Sequence, residues 1–277
     1  MKQRRILKIF DSEATSDGDG VKMRRVVTHG NLGVLDPFLL LDEFSSDDSA
    51  DYIGGFPSHP HRGFETVTYM LEGNMVHKDH MGNEGHLKSG GVQWMTAGRG
   101  LIHSEMPEQE EGRLHGFQLW LNLPAKDKMQ PARYQEFKSE EIPEILLDNG
   151  VEIRVIAGKI LNTDGPVRQT ATNPSYFDIR LTAKTEIDVP VITQHSAFIY
   201  VYKGNVQVEG TNVKQGQLAQ LNEGDSAIIV AEQEAGVLFL SGEPINEPIA
   251  NYGPFVMNTT QEIEQAISDY REGILTD

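Results

Sequence analysis

The chain has 277 residues, 38% of them apolar, with no cysteine and a formal net charge of −17. That length suits two domains of ordinary size, each large enough for a core. The lack of cysteine excludes disulfides, thiolate nucleophiles and sulfur-ligated metal centres. Residues 1–130 carry 14 basic and 19 acidic side chains, and 131–277 carry 10 and 22. A field that negative opposes direct nucleic-acid binding. No apolar run reaches the roughly 18 residues of a membrane-spanning helix. The opening MKQRRILKIF leads straight into acidic DSEATSDGDG without the apolar segment of a signal peptide, so a cytoplasmic location is expected.

In chain order the predicted elements are mostly strands. Short runs rich in Val, Ile, Thr and aromatics fall at 64–71 (FETVTYML), 91–96 (GVQWMT) and 114–121 (LHGFQLWL). The stretch 123–150 holds Pro124, Pro131 and Pro143 among charged residues and reads as a connection. It divides the chain near residue 130, into 1–130 and 131–277. Further strands are expected at 151–157, 197–202, 205–208, 226–230 and 236–240. Many short strands with frequent turns indicate an all-β fold of sandwich or barrel type rather than βαβ units. One helix is predicted near the C-terminus. Thr259 and Glu262 form a capping box, Ile263, Ala266, Ile267 and Tyr270 share a face, and Gly273 suits the stop. That face should pack on a barrel. The segments Val67–Gly73 (VTYMLEG) and Phe198–Gly204 (FIYVYKG) resemble one another, so two copies of one barrel are expected.

Eight of the nine histidines precede residue 130. In extended chain, side chains two apart share a face. His59-x-His61 therefore presents two imidazoles together, and His103-x-Glu105 an imidazole and a carboxylate. Glu65 joins the first pair if the strand stays regular after His61. Three nitrogens, one oxygen and no sulfur suit a divalent first-row ion: iron, manganese, copper, nickel or zinc. His77 and His80 are expected in an exposed hairpin loop, because Gly73-Asn74 and Gly82-Asn83 flank them. His86 reads as an exposed strand-edge residue, and His115 as a satisfied core histidine. His29 and His195 have no ligand-like neighbour in sequence.

The motif around His59 and His61, the following Gly73, and Gly98-Arg-Gly-Leu-Ile-His103 resemble the two motifs of cupins. There are departures. Thr66, not Glu65, stands where cupins carry glutamate, Gly98 replaces a proline, and Pro107 stands for an asparagine. The carboxylate has moved to Glu105. That displacement resembles the pirin family, as do Asp36–Phe44, Gly55–Tyr69, Gln93–Pro107, Gly116–Trp120 and Gly253–Asn258. The resemblance implies a bicupin, two β-barrel or jelly-roll domains with a short C-terminal helix. It implies one metal ion in the N-terminal domain, iron, on His59, His61, His103 and Glu105. Aligning Gly204 on Gly73 puts Pro190 and Ile192 where His59 and His61 stand, so the second barrel is expected to bind no metal. The implied activity is a quercetin 2,3-dioxygenase-like oxidation of a flavonol or related small aromatic by dioxygen. Glu105 would be both ligand and proton acceptor there, and Phe56, Met70, Trp94, Met95 and Ile102 are candidates for pocket walls. The alternative is a metal-containing regulator that binds a transcription factor or metabolic enzyme.

Overall fold

The structure is a computed structural model that describes residues 2–27 and 33–277; His29 lies outside them. It contains two compact units. The first barrel comprises, of the described residues, 14–27, 38–139 and 245–277. Its seven-stranded sheet runs in the order Arg133–Phe137, Val92–Thr96, Phe64–Glu72, Leu114–Asn122, Phe38–Ser46, Val21–Arg25 and Glu13–Asp17. Its four-stranded sheet runs Phe56–His61, Leu101–Pro107, Met75–Asp79 and Glu84–Leu87.

The second barrel comprises, of the described residues, 2–13, 33–37 and 140–244. Its seven-stranded order is Ile6–Asp11, Gln217–Leu221, Ser196–Lys203, Ala235–Gly242, Ser175–Leu181, Glu152–Ala157 and Glu144–Leu146. Its smaller sheet is Thr185–Pro190, Ser226–Ala231, Asn205–Val208 and Thr211–Lys214. The two orders match position for position, as the internal repeat predicts. Both copies are all-β cupin barrels, and among the described residues there is one α-helix, Thr260–Glu272.

A single cut near residue 130 does not describe this chain. Arg133–Phe137 pairs with Val92–Thr96 and supplies an outer strand of the first barrel. Ile6–Asp11 takes the matching place beside Gln217–Leu221 in the second. Unpaired sheet edges leave rows of open N–H and C=O groups, and each barrel covers one with chain distant in sequence. The C-terminal helix, expected in the second domain, belongs to the first barrel. Its capping box forms as predicted, with Glu262 N donating to Thr259 Oγ1 at 3.2 Å and Thr259 N to Glu262 Oε2 at 2.9 Å. Gly273 ends it in the left-handed conformation, φ 77°. Ile263 and Ala266 are buried with Phe255, Met257 and Leu275, and Ile102 packs against them. Tyr270, placed on the buried face from sequence, is exposed.

Candidate metal centre

The central strand of the four-stranded sheet, Leu101–Pro107, alternates buried and open side chains, with Leu101, His103 and Glu105 buried. The strand Phe56–His61 lies on one side of it, with His59 opposite His103 and His61 opposite Leu101. The strand Met75–Asp79 lies on the other, with Asp79 opposite His103 and His77 opposite Glu105. Period-two geometry thus brings His59, His61 and His103 together, with ring centroids 4.3 to 4.9 Å apart. His77, His103 and Glu105 form a second group of buried ligand-type atoms within 4.8 Å of one another.

Sequence reasoning missed His77. The flanking Gly-Asn pairs do mark turns, but the residues between form a strand, and His77 is 1% exposed on its inner side. Glu65 departs in the opposite way. The chain breaks at Arg62-Gly63, where Gly63 has φ 90° and a Cβ would lie 2.0 Å from the Val256 carbonyl oxygen. Parity is lost there. Glu65 instead accepts from Thr96 Oγ1 at 2.7 Å on a separate buried network, and burial pushes its carboxyl up to about 7. His115 is a satisfied core histidine, 2.8 Å from Glu43, and His86 is exposed on an outer strand.

The hydrogen bonds decide which nitrogens are available. His59 Nδ1 lies 2.8 Å from the Pro57 carbonyl. A carbonyl only accepts, so that nitrogen carries the proton and Nε2 the lone pair. His61 is bonded to the backbone of Pro254, and its Nδ1 is buried without a partner. His103 Nε2 is buried without a partner as well. Burial, reinforced by neighbouring imidazoles, holds His61 and His103 well below the usual histidine range. They are therefore neutral and keep lone pairs at physiological pH. An unmet buried polar atom costs about 1–3 kcal/mol, and a cation meeting these nitrogens would remove that cost. The donor set therefore fits a divalent ion. Glu105 is held by Thr68 Oγ1, donating to Oε1 at 2.7 Å, and by Gln118 Nε2, donating to Oε2 at 2.9 Å.

The strand that carries His59 and His61 is braced by the C-terminal segment. Arg62, next to His61, donates to Asp269 Oδ2 at 2.6 Å, to the Leu275 carbonyl at 3.0 Å and to the Arg99 carbonyl. The buried Lys128 ammonium donates to Gly63 O, Asn122 Oδ1 and Val256 O at 2.6 to 3.0 Å. The Phe64 and Trp120 rings lie 4.4 Å apart, tilted by 36°, and both abut His61. Gln118 and Trp120 face the cluster yet are half-buried, as is His59, so solvent reaches the cluster on this side.

One expected wall residue, Phe56, stands opposite Glu105 in the strand register. Met70 and Met95 are core, Phe56 and Ile102 pack against other clusters, and Trp94 sits on the opposite face of its strand from Met95. A cavity of about 700 Å3 lies in the second barrel, lined partly by Lys159, Arg168 and Ile192. It contains none of the cluster's side chains.

Comparison with known proteins agrees with this architecture. The Pirin family profile matches residues 20–121, and the Pirin C-terminal cupin domain profile matches 176–276. The chain belongs to the pirin family. A Pseudomonas aeruginosa protein provisionally named a quercetin 2,3-dioxygenase is 48% identical, over 99% of each chain. Human pirin is 43% identical, covering 94% of this chain and 90% of that one. A crystal structure of quercetin 2,3-dioxygenase from Acinetobacter baumannii superimposes with a TM-score of 0.92 at 36% identity, covering 99% of this chain and 98% of that one. Of the residues singled out in the sequence, His59, His61 and His103 form one group here, and His103 and Glu105 form a second with His77.

Proposed function

We propose that this pirin is a metal-dependent dioxygenase acting on a flavonol such as quercetin or a related small aromatic. One divalent ion, iron, would be held by His59, His61, His103 and Glu105. The observation that carries this reading is the pair of buried, unpartnered ring nitrogens, His61 Nδ1 and His103 Nε2, beside a carboxylate at a solvent-reached edge. Structural zinc sites are closed and usually contain cysteine; this set is open and has none. The dioxygenase names of close relatives support the same reading.

A bound ion would supply a Lewis-acid and redox centre for a phenolic substrate and dioxygen. The chain's own residues do the rest. Thr68 and Gln118 each occupy one Glu105 oxygen and leave further lone pairs free. Glu105 can thereby serve as ligand and accept the substrate's hydroxyl proton. The half-buried Trp120 offers an apolar ring for an aromatic substrate beside His61, backed by the buried Phe64.

The test is loss of quercetin absorbance on admitting air to anaerobic protein, in wild type and in His61→Ala. Turnover in the wild type that vanishes in the variant is expected. A loaded ion without turnover would overturn the flavonol assignment. It would favour the regulator, for which the acidic half 131–277 offers a docking surface.

A further inference from the structure

Resting on that metal reading, we propose that His77 is a positioning residue. It would fix the ring and tautomer of His103, and would itself be held by Asp79 and Tyr134. His103 Nδ1 and His77 Nδ1 face each other at 3.4 Å, and both side chains are 1% exposed. Only one proton can lie between the two nitrogens. If His103 donates it, His103 Nε2 keeps the lone pair that the cluster needs. If His77 donates it, a neutral His103 carries its proton on Nε2 and cannot ligate.

The surroundings of His77 select the first arrangement. With Nδ1 accepting, His77 carries its proton on Nε2, which is otherwise a buried nitrogen without a hydrogen-bond partner. That nitrogen lies 3.8 Å from Asp79 Oδ2, whose side chain is wholly buried. Asp79 is pinned, accepting from Met81 N at 2.9 Å, Asn83 N at 3.0 Å and Asn83 Nδ2 at 2.7 Å. Tyr134 stacks on the His77 ring, centroids 5.2 Å apart and planes 26° from parallel. Gln93 and Glu136 both bond the Tyr134 hydroxyl. The result is a carboxylate–histidine–histidine line ending at the ligating nitrogen. Metal-bound histidines commonly pass their second N–H to such an acceptor, and its loss lowers metal affinity. With His103 Nδ1 turned to His77, the nitrogen left for an ion would be Nε2, on the far side of the ring. His77 therefore orients and does not ligate, although its distance to His103 and Glu105 would permit ligation.

The experiment is cobalt(II) titration of metal-free protein against a chromophoric chelator, with the visible spectrum of the cobalt form and the melting temperature of the metal-free form recorded. His77→Phe keeps a ring on Tyr134 but has no acceptor. It should bind cobalt roughly 10–100-fold more weakly, with an unchanged ligand-field spectrum at saturation. His77→Gln, which can still accept, should recover most of the affinity. Asp79→Asn should weaken binding by a smaller factor and serves if the Phe variant does not fold. Wild-type affinity in both His77→Phe and Asp79→Asn would overturn the proposal. So would a spectrum showing one ligand fewer, with no rescue by Gln, because His77 would then be a ligand. Wild-type protein that binds no cobalt would instead defeat the metal reading on which this one rests.

Discussion

In the second barrel, buried side chains of both sheets, from Val151 to Phe239, form one continuous apolar cluster. In the first, the corresponding interior is broken up. Met23, Phe44 and Met70 belong to one cluster and Met95 and Leu101 to another, while His77, His103 and Glu105 are buried in the same barrel. Strand register makes the contrast direct. Glu105 pairs with His77, and Val230 pairs with Gln207. With Gly204 matched to Gly73, Val208, Ala227 and Ile229 take the places of His77, His103 and Glu105, and each is wholly buried. One strand order therefore tolerates either filling. A polar interior needs partners for its groups, and an ion would be one for the first barrel. Matching the glycines without a gap puts Pro190 and Ile192 where His59 and His61 stand, but the strand register corrects this by one residue: Val189 lies opposite Ala227 as His59 lies opposite His103, so the buried Val189 and Val191 take those places.

The largest effect should come from breaking that contrast in the apolar copy. Ile229→Asp buries a carboxylate with no cation or donor and should cost at least about 4 kcal/mol in urea denaturation. A loss below about 1 kcal/mol would mean the second barrel is not the dry scaffold described.

Next is the pH response of Glu65 in the first barrel. Its carboxyl is raised from the usual range to about 7, so the folded protein holds a proton that the unfolded chain gives up near pH 4.5. Its favourable contribution is complete below that pH and is lost as pH rises towards 7. The loss amounts to as much as about 3 kcal/mol. The difference in stability between wild type and Glu65→Gln across pH 4.5–8 isolates this term from the buried histidines. A flat difference curve would contradict the assignment.

Smaller effects test whether the C-terminal segment belongs energetically to the first barrel. Lys128→Met leaves three acceptors without their donor and should cost about 2–3 kcal/mol. Asp269→Asn replaces one partly exposed partner of Arg62 and should cost about 1 kcal/mol. Scanning calorimetry should show both variants lowering one transition and leaving the other in place.

Much of this was legible in the sequence because local geometry carries it. Period two groups His59 with His61 and His103 with Glu105, and the capping box with Gly273 bounds the helix. What was not legible depends on register and long-range pairing. His77 joins the cluster only because its strand lies across from Glu105. Glu65 leaves it because Gly63 must fit under Val256. Arg133–Phe137 reads as linker because its burial is nowhere complete, and only its pairing with Val92–Thr96 makes it a strand of the first barrel. The helix assignment to the second domain followed chain order, which the fold does not respect.

The most direct test of the central claim is elemental analysis of purified wild type beside His61→Ala and Ile192→Ala, the latter an exposed position in the other barrel. The account predicts about one divalent first-row ion per chain in the wild type and in Ile192→Ala, with loss of that ion in His61→Ala. Wild-type protein without an ion, or His61→Ala that retains one, would contradict it.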